Sequence, residues 1–251
     1  MSPPTGTELP GAFPRIDSHQ HFTGEYLPSL LGPILRRNRF AGSVAVAARP
    51  SVEETRWLLS LVAGHDFIRA VVGWADLADP RVGEILDEYR QHPKFRGVCY
   101  AFAGELPPGL AELERRGLTL DVSAGFRPAI VERFPDLRVS IDHVGTARAS
   151  VPPSVARYPN LFAKISGLIT HTPIGWKAAE FQPAVQAALG AFGPERVMYG
   201  SDWPNYLPEG TWKAALAAFT QAIGPQTLET REHLLGGTAH RFYRLETGDA
   251  G

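Results

Sequence analysis

Sulfur is what this chain has least of: one cysteine, Cys99, and two methionines in 251 residues. A single thiol cannot close an internal disulfide, so the fold must be held by its core. A reducing, cytoplasmic home is therefore expected. No apolar run reaches the ~18 residues that read as a membrane-spanning helix. The opening stretch, MSPPTGTELPGAFPR, has no basic segment followed by an apolar one, so no secretory leader is expected in it. An excess of one charge is missing too: 25 Lys and Arg stand against 26 Asp and Glu, for a net charge of −1. Nucleic-acid and membrane-surface partners demand a basic patch, and the balance argues against both. A small-molecule substrate is the expected partner.

What the chain does have is alternation. Short β-branched or apolar runs are separated by longer amphipathic stretches, the pattern of repeated βα units around a parallel sheet. The runs are Phe13–Ser18, Gly42–Ala47, Ile68–Gly73, Phe95–Tyr100, Leu118–Val122, Leu137–Asp142, Leu161–Ser166 and Arg196–Ser201. Helices are predicted at a capped segment after Ser51, with Glu54 completing a capping box, and at Arg81–Tyr89, Pro108–Arg116, Arg127–Phe134, Ala179–Phe192, Thr211–Ile223, Glu229–Leu235 and Thr238–Tyr243. Eight runs in a chain of this length fit a single-domain α/β fold, the (β/α)8 TIM barrel, which typically takes roughly 250 residues. Its expected bounds are 13–246, after a lead-in over 1–12 and before a frayed tail over 247–251. An open doubly wound sheet would carry a glycine-rich phosphate loop after its first strand. Here that position reads Asp17-Ser18-His19-Gln20-His21. Homo-oligomerisation stays open, because the outer helices of a barrel can hide an interface in an ordinary apolar face.

In such a barrel the site lies at the C-terminal ends of the strands. His19 and His21 stand at the end of the first run, on one side of an extended segment. Asp142 and His143 end the sixth run, and Asp202 follows the eighth. Each of these alone is weak: polar residues mark strand ends, and a lone Asp is commonly a cap or turn residue. Their convergence on one mouth is what carries weight. Three imidazoles and a carboxylate suit zinc or a similar divalent ion with a position left for water, and Asp202 is the candidate base for that water. Asp17 is read as orienting an imidazole from behind. Trp74, Arg127, Lys164, Ser166, His171, Trp176, Trp203 and Tyr206 are candidate substrate contacts by their place near the strand ends and in the following loops. Lys164 is alternatively read as an ion-pair partner inside the barrel. His65, His92, His233 and His240 are read as structural.

IDSHQHF, IDHVG, AKISGL and MYGSDWP, in that order, resemble the amidohydrolase-2 type of metal-dependent hydrolase. EETRWLL, VVGWADLADP, HPKFRGV, ERFPDLRVSIDH, FGPERVMYGSDWP and GGTAHRFYRL extend the likeness from Arg15 to Leu245. The nearest group is that of 2-pyrone-4,6-dicarboxylate lactonase and L-fuconolactonase. The resemblance implies a (β/α)8 barrel, His19, His21, His143 and Asp202 as catalytic and metal-binding residues, Asp202 as general base, and hydrolysis of a cyclic ester. It leaves the cofactor open between one divalent ion, Zn or Mn, and none. No bridging lysine ends the fourth run, which argues against a binuclear centre. Cys99 stands where the family usually has arginine, as a soft ligand at the mouth or a small buried hydrophobe. A decarboxylase with the same metal site, hydrolysis of an amide or another ester, and a non-catalytic barrel binding a sugar acid or metal are the alternatives.

Overall fold

The apolar runs become strands that hydrogen-bond in chain order, all parallel: β1 (Ile16–Gln20), β2 (Gly42–Val46), β3 (Ile68–Gly73), β4 (Phe95–Ala101), β5 (Thr119–Ala124), β6 (Arg138–Ile141), β7 (Leu161–Ser166) and β8 (Val197–Gly200). These eight are the strands among the described residues, 13–146 and 153–246 of a computed structural model. The expected lead-in and tail lie outside those residues. The ring closes just past the end of β8, where the Asp202 N–H donates to the His19 carbonyl (2.8 Å) and the His21 N–H to the Trp203 carbonyl (2.7 Å). The architecture is the expected (β/α)8 barrel.

Two strands, β3 and β7, have the predicted bounds, and the others shift at their ends. The first shift matters most. β1 starts at Ile16 rather than Phe13, because Pro14 has no N–H to give a ladder. It also ends at Gln20 rather than Ser18, so His19 lies inside the strand rather than beyond it.

The helices are α1 (Pro28–Arg37), α2 (Val52–Val62), α3 (Val82–Tyr89), α4 (Gly109–Arg115), α5 (Pro128–Arg133), α6 (Gln182–Phe192), α7 (Trp212–Ile223), α8 (Leu228–Glu232) and α9 (Thr238–Tyr243). Helix α1 was not expected, since Gly32 and Pro33 interrupt its pattern. Proline in the first turn starts it, and burial of Leu31 and Leu35 holds it. At α2, Ser51 Oγ accepts from the Glu54 N–H (3.1 Å) as predicted, but the reciprocal half of the box is absent. Glu54 instead accepts from the Ala48 N–H (2.6 Å) and the Arg49 side chain (2.5 Å), pinning the end of β2. The two C-terminal helices were expected to be separate, yet a π turn over His233–Gly237 joins α8 to α9. A Cβ at Gly236 would lie 2.3 Å from the Pro14 carbonyl oxygen, so only glycine lets this helix pack on the chain entering β1.

Two apolar layers result. Leu58, Val71, Leu86, Leu120 and Phe219 fill the space between sheet and helices. Inside the barrel, Val44, Val46, Ala70, Val72 and Met198 pack together, and Phe242 and Tyr243 of α9 close the lower end. Each of the Val, Leu, Met and Phe side chains contributes about 1.5–3 kcal/mol on burial. The lower half is thus plugged with hydrocarbon, and the polar residues of the strands collect at the upper mouth. Among the described residues no helix is long and apolar enough to cross a membrane.

Candidate active site

β1 supplies two imidazoles through an irregularity. Its register with β2 shifts between Asp17 and Gln20, and this separates the roles of Asp17 and His19. Asp17 accepts from the Ser201 N–H (2.7 Å) and from Trp212 Nε1 of α7 (3.1 Å). That corrects the expectation that Asp17 orients an imidazole: it ties β8 and α7 to β1. Burial, working against these hydrogen bonds, pushes its carboxyl up to about 6. His19 and His21, two residues apart, turn toward each other, Nε2 to Nε2 at 3.2 Å. His21 Nδ1 lies 2.9 Å from the Val46 carbonyl. A carbonyl can only accept, so that nitrogen keeps the proton of the neutral ring and Nε2 is turned to the site.

His143 follows β6 and packs edge-on against His19, with ring centroids 4.8 Å apart. Ser166 Oγ holds its Nδ1 at 3.0 Å and accepts from its backbone N–H at 3.2 Å. Asp202 follows β8. Its Oδ1 is 3.3 Å from His21 Nε2 and accepts from Asn205 Nδ2 (2.9 Å), while Oδ2 accepts from Thr170 Oγ1 (2.7 Å). His143 and Asp202 both have left-handed backbones, with φ of 59° and 65°. Such conformations cost of order 1–3 kcal/mol in a non-glycine residue and gather where geometry serves function.

Two glycines make room for this arrangement. At Gly200 a Cβ would stand 2.5 Å from His19 Cβ and 3.0 Å from Ser166 Cβ. At Gly167, where φ is 64°, it would stand 2.8 Å from Asp202 Oδ2. Gly200→Ala is expected to push β8 away from β1, costing about 1–3 kcal/mol by overpacking. It should lower turnover at least tenfold, checked by urea unfolding beside rate measurements.

The electrostatics follow from burial and neighbours. Burial works against the Asp202 carboxylate, but the His21 hydrogen bond and charge, the His143 charge and Thr170 outweigh it and hold the acid down to about 2. For His21, burial works against the cation and Asp202 more than offsets it, so its pKa is raised. His19 is pushed well below the ordinary imidazole value by burial first, then by Lys164 and the two other rings. A neutral imidazole is what a metal ligand must be.

The donor set fits one divalent ion. His19 Nε2, His21 Nε2 and Asp202 Oδ1 form a triangle with edges of 3.2, 3.3 and 3.9 Å. Tetrahedral ligands about 2.0–2.1 Å from zinc are about 3.3–3.4 Å apart. His19, His143 and Asp202 can also each present one ligand atom, all within 4.8 Å of one another.

Of the two readings of Lys164, substrate contact and ion-pair partner inside the barrel, the structure corrects the first and matches the second: the side chain is fully buried beneath the cluster. Its ammonium group bonds Asp121 Oδ2 (2.5 Å) and stands 3.0 Å from Asp142 Oδ1 and 3.3 Å from His19 Nδ1. With these three neighbours around it and no exposed surface, the ammonium group does not reach the mouth. Burial works against its charge, and Asp121 and Asp142 more than restore it. Tyr243 completes the network by donating to Asp121 Oδ2 (2.8 Å).

The other expected contacts scatter. Ser166 is buried against His143. Trp203 is buried between Phe22 and Tyr26, and Tyr206 is also buried. Trp74 is half-buried beside Thr55, which accepts from its N–H at 2.8 Å. Trp176 is half-buried with Nε1 donating to the Glu209 carbonyl (3.3 Å), and His171 is exposed. Arg127 is half-buried over the Phe102 ring, with Nη2 out of solvent and lacking a hydrogen-bond partner. Cys99 packs on the apolar barrel interior and is not among the clustered donors; its Sγ is 3.9 Å from Asp142 Oδ2. Thr170, which holds Asp202, was missed. Its only sequence signal is its place just after AKISGL.

Comparison with known proteins follows the same residues. Residues 16–245 match the profile of the family described as amidohydrolase. A curated L-fucono-1,5-lactonase of Burkholderia multivorans is 31% identical over 94% of this chain and 98% of its own length. One of Burkholderia ambifaria is 29% identical over 92% and 96%. The crystal structure of a Burkholderia multivorans amidohydrolase with bound zinc superposes with a TM-score of 0.81 at 29% identity, covering 93% of this chain and all of the other.

Proposed function

The chain belongs to the amidohydrolase family, and on that premise we propose that it opens a small cyclic ester, the lactone of a sugar acid, by adding water at the upper mouth of the barrel. The observation that carries this reading is the convergence of His19 Nε2, His21 Nε2 and Asp202 Oδ1 within 3.9 Å of one another. The two lactonases it matches nearly end to end support a lactone over other esters and amides. His19, His21, His143 and Asp202 would hold one zinc or manganese ion. Such an ion, when bound, brings the pKa of water towards neutrality and polarises the substrate carbonyl.

The chain's own groups do the rest. Asp202 takes the proton of the attacking water, its carboxylate kept ionised and aimed by Thr170 and Asn205. The protonated Asp202 then returns that proton to the departing ring oxygen, beside His143, which Ser166 steadies. Lys164 and Asp142 fix His19 from below. Trp74, Arg127, His171 and Trp176, in the loops after β3, β5 and β7, are the side chains we assign to the substrate, and the unpartnered Arg127 Nη2 is suited to an anionic or hydroxyl-rich ring. The lone Cys99 supports a reducing, cytoplasmic location.

The test is acid release from a panel of sugar-acid and aromatic lactones, with chelator and with added Zn(II) or Mn(II). Sugar-acid lactones should be hydrolysed, the rate should fall with chelator, and metal should restore it. Hydrolysis unaffected by chelator would contradict the metal role and leave the imidazoles and Asp202 acting alone. Carbon dioxide release from hydroxybenzoates, with no lactone opened, would overturn the reading.

A further inference from the structure

At the other end of the barrel, a cleft of about 320 Å³ opens among the turns that lead into β4, β5 and β6 and the end of α9. Arg90, Arg96, Arg116, Arg138 and Arg244 line it, with Tyr243. Apart from Tyr243 and Arg244 at the end of α9, these residues precede or begin strands, whereas the imidazoles and Asp202 lie at strand ends, so the cleft opens at the opposite end of the barrel from the active site. Five guanidinium groups in one depression are a local concentration in a chain whose net charge is −1.

Two of the acids nearby, Asp87 and Glu112, are already engaged. Arg116 grips Asp87 (2.7 Å) and Glu112, and Arg90 stands 3.6 Å from the same Asp87. Among the described residues Arg96, Arg138 and Arg244 have no carboxylate within 4.0 Å. Two of them are nonetheless held in place. Arg138 donates to the Gly117 carbonyl (3.0 Å) and the Arg241 carbonyl (3.3 Å). Arg96 donates to the carbonyls of Pro93 and Phe95. Burial, then the charges of Arg244 and Arg96, push the Arg138 pKa down to about 10, as expected where like charges share a half-buried space. Glu246 acts on Arg96 from beyond ion-pair distance. Neutral donors would tie the same carbonyls without repulsion. Three cations around one void, two of them fixed, are stabilised when an anion enters it.

We propose that this cleft binds a small phosphate-bearing anion. A guanidinium is a rigid fork of donors that matches phosphate oxygens in pairs. Three forks exceed what one planar carboxylate can engage, and a tetrahedral phosphate offers an oxygen to each. The volume falls at the lower end of small-ligand sites, roughly 300–1,000 Å³, which suits a compact phosphate ester. This assignment is independent of the lactonase reading.

The test is calorimetric titration of the full chain with inorganic phosphate and with pyrophosphate, at ionic strength held constant with chloride. Wild type should show saturable binding. The double variant R96Q/R244N should bind at least tenfold more weakly; Arg244 has φ of 50°, a conformation asparagine tolerates. R138Q should also bind more weakly, which keeps the test open if the double variant fails to fold. R56Q, altering an exposed arginine paired with Glu88 outside the cleft, should bind as wild type. D202N should do the same. No saturable binding above chloride, undiminished binding by the folded cleft variants, or loss of binding in D202N, which would put the phosphate at the imidazoles, would each overturn the proposal.

Discussion

Asp202→Asn is expected to lower kcat by about 10²–10⁴-fold, the usual contribution of a positioned base, with the fold intact. The choice of asparagine matters. Asp202 sits at φ 65°, a region that asparagine enters readily and alanine does not. The amide oxygen can still accept from Thr170, so the side chain keeps its place. What it loses is the ability to take a proton from water, together with the charge that holds His21. Rates should be compared at saturating metal, so that weaker metal binding is not mistaken for lost proton transfer. A wild-type kcat in a folded Asp202→Asn protein would remove Asp202 from the proposed chemistry.

Lys164→Met is expected to cost about 3–5 kcal/mol of stability, the penalty of breaking a buried ion pair from one side. Methionine nearly matches the length of lysine, so the loss is mainly electrostatic. Asp121 and Asp142 would face each other and His19 inside the barrel with no cation, both fully buried. Their burial already raises both carboxyls, with Lys164 opposing that shift. The triple variant K164M/D121N/D142N should recover much of the loss, since it removes the stranded charges along with their partner. Urea unfolding of the three proteins measures this directly. A cost below about 1 kcal/mol for Lys164→Met, the range of exposed pairs, would show that the network is solvated rather than buried.

The sequence made the barrel legible because each strand is short, β-branched and bounded by turn residues. It was less legible where tertiary packing overrides local pattern. Helix α1 tolerates Gly32 and Pro33 because it buries Leu31 and Leu35. The Gly236–Gly237 pair read as a break, yet it is the π turn that lets a continuous helix reach Pro14. At the candidate site the residue types at strand ends were sufficient to bring His19, His21, His143 and Asp202 together on paper, and in the closed barrel the four lie side by side. The supporting groups were not readable in the same way. Lys164 and Asp121 sit on different strands, and only the closed ring shows that they meet below the imidazoles. Asp17 shares the i, i+2 pattern of His19 and His21, but the register shift in β1 turns it to Trp212 instead. Thr170 lies in a loop whose pattern carries no signal for its hydrogen bond to Asp202.

The most direct test of water addition at the mouth is hydrolysis in ¹⁸O-labelled water of the lactone that turns over fastest, with mass analysis of the opened acid. The account predicts one labelled oxygen, in the carboxylate and none in the released hydroxyl, because the water held by Asp202 attacks the carbonyl carbon. Label in the hydroxyl, or a product that has lost carbon dioxide, would contradict it.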